Sequence, residues 1–123
     1  MNTKQQGDVG VASAIFHYTK QGHTVCAPLT DNARYDLVVD MGHLRRVQVK
    51  TSGYKTPYGI YQVMLQTSGG NRSGVGKTKR ISESECDLVF VYTLAGDSYE
   101  FPVGLVAGMK NLNLGKIYEE YKL

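Results

Sequence analysis

The segment RYDLVVDMGHLRRVQVK, residues 34–50, constrains the fold more than any other part of the chain. Two runs rich in valine and leucine flank Met41-Gly42-His43, and a three-residue loop with glycine at its centre is a favoured hairpin connection. That loop sets Asp40 opposite Leu44, Val38 opposite Arg46 and Asp36 opposite Gln48. Side chains alternate across a strand, so Asp36, Gln48 and Lys50 share one face, and Leu37, Val39, Val47 and Val49 share the other. A carboxylate, an amide and an ammonium on one face are costly to bury unless each is paired or hydrogen-bonded.

Around this hairpin the pattern predicts an amphipathic helix over about Asp8 to Gln21. Its apolar stripe would be Ala12, Ile15, Phe16 and Thr19, with Asp8 as a cap and Gly22 as the stop. Gly7 and Gly10 would let another backbone approach closely. A short strand follows over His23 to Pro28, and after the hairpin's two strands a third over Tyr58 to Thr67. The run TSGGNRSGVGKTKRIS reads as a long loop, Asp87 to Leu94 and Tyr99 to Val103 as two further strands, and Leu114 to Leu123 as a helix. The architecture implied is one α/β domain over residues 1–123, with helices packed on a mixed or antiparallel sheet.

A chain of 123 residues suffices for one core. No stretch approaches the roughly 18 continuous apolar residues of a membrane span, and the first residues lack the apolar region of a secretion signal, so a cytoplasmic location is expected. Cys26 and Cys86 fit no zinc spacing and read as small buried apolar residues. The net charge of +3 conceals a segregation: residues 34–80 hold nine Lys and Arg against two acids, and the remainder five Lys against nine acids. A basic centre points to a polyanion such as nucleic acid, or else to a solvated face.

On the polar face, cross-strand neighbours stand roughly 5 Å apart, close enough for the Asp36 carboxylate and the Gln48 carbonyl oxygen to share a hard cation such as Mg²⁺. Lys50 lies one strand step further, where an ammonium suits a developing oxyanion. These are the parts that phosphodiester hydrolysis needs, although a surface ion pair explains many Asp and Lys neighbours.

Taken with their surroundings, RYDLVVD and RRVQVKT resemble the core of the PD-(D/E)XK nuclease superfamily. With GDVGVASAIFHYTKQGHTV and CDLVFVYTLAGDSYEFPV, the chain is similar along nearly its whole length to the small group I intron-associated (homing) endonucleases, cousins of Holliday-junction resolvases. The resemblance implies a restriction-endonuclease-like core, with a central mixed sheet flanked by helices, and Mg²⁺-dependent cleavage of double-stranded DNA, with Mn²⁺ as a substitute. It makes Asp36 a metal ligand and Lys50 the catalytic lysine, and puts Gln48 where the second acid normally stands. It also carries Asp8 over as a helper ligand from the pattern GDxGE, whose glutamate is replaced here by Val11. A neutral amide binds a cation more weakly than a carboxylate does, so a DNA-binding module with a decayed site and a junction resolvase stand as alternatives.

DNA contacts are expected from Arg34, Arg46 and Lys55, and from Arg72, Lys77, Lys79 and Arg80 in the glycine-rich run. That run fails as a P-loop, because the leading glycine would have to be residue 71, which is Asn71. Tyr54, Tyr58 and Tyr61 read as packing residues, His17 as a helix-surface or packed residue and His43 as a turn residue. One domain of this size covers too little DNA for a long site, which implies a homo-oligomer, dimer or tetramer.

Overall fold

In a computed structural model of the protein, which describes residues 1–69 and 77–123, the hairpin forms in the predicted register. Strand β2 (Leu37–Asp40) pairs antiparallel with β3 (Leu44–Ser52), Asp40 facing Leu44 and Val38 facing Arg46, and Gly42 turns the loop with φ 89°. Strand β1 (Thr24–Cys26) pairs outside β2. On the other side β3 runs parallel to β8 (Leu88–Thr93), which pairs antiparallel with β9 (Ser98–Pro102). The order β1-β2-β3-β8-β9 makes a mixed five-stranded sheet.

Helix α1 spans Thr3–Lys20, beginning five residues before the predicted start. Its cap is Asn2, whose side chain accepts from the Gln5 N–H while the Gln5 side chain accepts from the Asn2 N–H. Asp8 therefore caps nothing and lies in the second turn. The buried face is also different from the one predicted: Gly10, Ala14 and Tyr18 face the sheet, and Ile15 and Phe16 are exposed. Closeness decides this. A Cβ on Gly10 would collide with the Thr51 hydroxyl, so this position brings the helix backbone down onto β3; no such contact exists at Gly7. Tyr18 is fully buried because its hydroxyl reaches Glu100 Oε2 at 3.0 Å. His17 packs on the rings of Tyr18 and Phe90, and burial pushes its pKa down.

Leu37, Val39, Val47, Val49 and Phe90 form the first apolar cluster with α1, and Val11 packs against it. Val89, Val91 and Phe101, on the opposite face, form a second with Val63, Leu65 and Cys86. Over this second face lies a small sheet in the order β10 (Asn111–Asn113), β5 (Tyr61–Met64), β4 (Tyr54–Lys55), so the strand predicted over Tyr58 to Thr67 is shorter and does not join the main sheet. A short helix, α2 (Val103–Val106), and a 3₁₀ helix at Lys116–Tyr121, in place of the predicted C-terminal helix, complete this layer. The ends of the predicted loop pair instead as β6 (Thr67–Gly69) and β7 (Lys77–Lys79). Cys86 is buried as predicted but Cys26 is exposed, and Tyr54 and Tyr58 are exposed while Tyr61 packs. No helix among the described residues is long and apolar enough to cross a membrane.

Two outcomes follow from this packing. Gly10→Ala should destabilise the fold by about 1–3 kcal/mol, seen as a lower Tm. Thr51→Ala, which removes the colliding hydroxyl, itself without a hydrogen bond to any described residue, should recover much of that loss in the double variant. At pH 8 iodoacetamide should label Cys26 and spare Cys86, which is 1% exposed and whose thiol burial pushes up to about 11. Mass spectrometry of the native and unfolded protein distinguishes one adduct from two.

Candidate active site

Strand β2 begins at Leu37, opposite Val47, while β3 continues to Ser52. Asp36 stands just before β2, its N–H donating to the Val47 carbonyl at 2.9 Å, so its side chain comes level with Gln48 and Val49. Asp36 Oδ2 accepts the Val49 N–H at 2.7 Å and the Gln48 Nε2–H at 3.2 Å. Gln48 and Lys50 lie level with Val89 and Val91 of β8, on the face of the second apolar cluster. The three side chains predicted to share a face therefore do so.

Half-burial sets the electrostatics. Burial raises the Asp36 carboxyl above its usual range, against the lowering effects of the Val49 N–H and of Lys50. Burial likewise lowers Lys50, against the attraction of Asp36, and Arg34 lowers it further. Asp36 Oδ1 makes no hydrogen bond to a described residue, and Gln48 uses its amide N–H on Asp36, which leaves its carbonyl oxygen. One carboxylate oxygen and one amide oxygen are the hard donors that Mg²⁺ or Mn²⁺ takes, so the residues fit such an ion with two protein ligands. Among the described residues no group of three or more His, Cys, Asp or Glu side chains is placed to hold a metal.

Asp8 does not join this group. It is exposed, and two residues on an α-helix place it about 200° round from Gly10, which faces β3. Val11 packs on the first apolar cluster, on the face opposite Lys50.

The predicted DNA contacts separate into kinds. Arg46 is held within the fold: Nε and Nη2 donate to the two Asp87 carboxylate oxygens at 3.1 Å each, and Nη1 donates to the Ser84 carbonyl at 2.9 Å. This pairing keeps Asp87 below its usual carboxylate range. Each nitrogen of this guanidinium has a partner within the fold, so Arg46 ties the turn before β8 to β3 and has less of its fork open for the phosphate contact expected of it. Arg34 meets Glu85 through Nε alone, at 2.7 Å, and Lys79 Nζ lies 3.4 Å from the same Glu85 oxygen. Arg80 donates to the Gly108 carbonyl at 2.9 Å, and Lys55 is exposed over the Tyr61 ring. Arg72 lies outside the described residues, as does the Lys77 side chain. Sequence reasoning passed over Glu85 and Asp87, although SESECD sets three acids at alternate positions directly before β8.

No curated protein matches the chain at a significant level. A solved structure described as that of a bacterial homing endonuclease, I-Ssp6803I, superposes with a TM-score of 0.80 at 27% identity, covering 94% of this chain and 80% of that one. The family model described as PD-(D/E)XK endonuclease matches residues 1–116. A match over nearly the whole chain, on a fold that sets Asp36, Gln48 and Lys50 side by side, shows that the chain belongs to the PD-(D/E)XK endonuclease family.

Proposed function

We propose that the protein is a divalent-metal-dependent DNA endonuclease of the site-specific, homing type, with Asp36 and Gln48 as metal ligands and Lys50 as the catalytic cation. The observation that carries this reading is the convergence of the three side chains at the open end of β2, with Asp36 Oδ1 and the Gln48 carbonyl left for a cation. The similarity to a homing endonuclease supports the type. A bound Mg²⁺ or Mn²⁺ would polarise the phosphate and lower the pKa of a water. The chain's own part is to place Lys50 beside the reacting phosphate, where a half-buried ammonium stabilises charge that builds in the transition state more strongly than it would in water. We extend the proposal to a homo-oligomer, dimer or tetramer, because one domain spans too few base pairs for a long site.

A second reading, a DNA-binding module without activity, is favoured by Val11, which turns the family's acid position toward an apolar cluster and leaves one carboxylate at the site. Incubating the protein with plasmid and with a randomised duplex library, in Mg²⁺ or Mn²⁺, separates the two readings; binding without cleavage at every concentration selects the second. A four-way junction in the same assay tests for a resolvase. If the first reading holds, Lys50→Ala should lower cleavage at least about 10²-fold while DNA affinity falls little. An active Lys50→Ala variant removes the mechanism.

Metal binding has its own readout. A carboxyl raised by burial makes the folded state bind its proton more tightly than the unfolded chain, so stability falls as pH rises through that raised range. A cation on the ionised group offsets this. At pH 8, Mg²⁺ or Mn²⁺ at ten times its Kd should stabilise the protein by about 1.4 kcal/mol, roughly 5 °C in Tm. Asp36→Asn keeps an acceptor for the Val49 N–H and should show no such shift in a thermal melt.

A further inference from the structure

Arg34 and Arg46 carry the same group, yet the fold uses them in different ways. Arg46 ties residues 82–87 to β3: its guanidinium reaches Asp87 and the Ser84 carbonyl, its own N–H donates to Asp87 Oδ2 at 2.8 Å, and the Asp87 N–H returns to the Arg46 carbonyl at 2.9 Å. Glu85 stands within that fastened turn, with its side chain 17% exposed. Its Oε2 takes Arg34 Nε at 2.7 Å and Lys79 Nζ at 3.4 Å. A bond at Nε fixes the plane of the guanidinium and leaves Nη1 and Nη2 with no hydrogen bond to a described residue. Arg34 also lies two residues from Asp36, and its charge is felt at Lys50.

We propose that Arg34 is a catalytic residue that grips the scissile phosphate with its two terminal nitrogens, and that Glu85 is the positioning residue that aims it. The inference rests on the reading of Asp36, Gln48 and Lys50 as the cleavage site. In hydrolysis a water oxygen forms the new bond to phosphorus and gives its proton to solvent. One P–O ester bond breaks with its electron pair on the leaving alkoxide, which takes a proton from solvent. Arg34 exchanges no proton; it holds the non-bridging oxygens, on which negative charge increases. The contact between Glu85 and Lys79 brings β7 to the same anchor.

The test uses the full chain, a cleavable duplex selected from the randomised library, and single-turnover cleavage beside equilibrium DNA binding. Arg34→Lys keeps the charge and loses the fork: cleavage should fall about 10²-fold while Kd for the duplex stays within about threefold. Glu85→Gln should lower the cleavage rate about tenfold with Kd little changed, and should cost almost nothing further in the Arg34→Lys background. Glu85→Asp should restore part of the rate, which a general loss of stability would not allow. Cleavage by Arg34→Lys at the wild-type rate overturns the proposal, even if Glu85→Gln fails to fold. Tighter DNA binding with an unchanged rate in Glu85→Gln overturns the positioning role, because the carboxylate then only competes with phosphate. A wild-type protein that cuts nothing removes the endonuclease reading and this inference with it, whereas an active wild type with active Arg34→Lys removes this inference alone.

Discussion

Where β2 begins, β3 has five residues still to run beyond Val47, and the Val49 N–H projects from it with no strand to receive it; the Asp36 carboxylate does so at 2.7 Å. An unmet N–H at a half-buried position costs about 1–3 kcal/mol, so the fold itself calls for an acceptor at residue 36. An asparagine would meet that need. An aspartate also brings negative charge beside Lys50, on a carboxyl whose pKa burial raises, and so gives the position a chemistry that an asparagine would lack. The second contact, from the Gln48 amide N–H, ties Gln48 to the same carboxylate and leaves its carbonyl oxygen without a hydrogen bond to a described residue. Sheet geometry and site chemistry thus meet in one side chain.

The two faces of the sheet divide the remaining work. On one, α1 descends onto β3 at Gly10 and Ala14 and seals Leu37, Val39, Val47 and Val49 from water. That seal makes the register costly to change, since a slip of one residue would turn those valines out and Gln48 and Lys50 in. The other face carries the polar trio at the margin of the second cluster, beside Val89 and Val91. There the apolar neighbours desolvate Asp36 and Lys50 without enclosing them, the condition under which a charged group acts strongly and still meets a substrate.

How far this was legible in the sequence depended on whether the signal was local. The loop 41–43 specifies register through Gly42, and strand alternation then places Asp36, Gln48 and Lys50 together, as the structure has them. The helix face was misread because hydrophobicity favoured Ile15 and Phe16, whereas packing favoured the small Gly10 and Ala14 and a tyrosine with a partner 82 positions away. Asp8 was assigned by motif; its place on the far side of the helix follows from where Gly10 touches β3, a tertiary fact. Arg46 and Arg34 look alike in a sequence. Only the fold reveals that Asp87, distant in the chain, takes both Nε and Nη2 of Arg46, whereas Glu85 takes Nε alone of Arg34.

The same distinction governs the charge of the surface. Residues 34–80 hold seven more cations than acids, but the acids that answer them come from the turn before β8, outside that block. A formal count therefore overstates the field that a phosphate meets near Arg46, whose guanidinium is matched oxygen for nitrogen by Asp87. At Arg34 the pairing lowers the long-range field by a similar amount while leaving two parallel donors in a fixed plane. Long-range attraction falls off within about 10 Å at ordinary salt, so at contact distance the open fork outweighs the lost field. What the basic centre could do to a phosphate depends on which nitrogens remain, and at Arg34, two residues before Asp36, Nη1 and Nη2 make no hydrogen bond to a described residue.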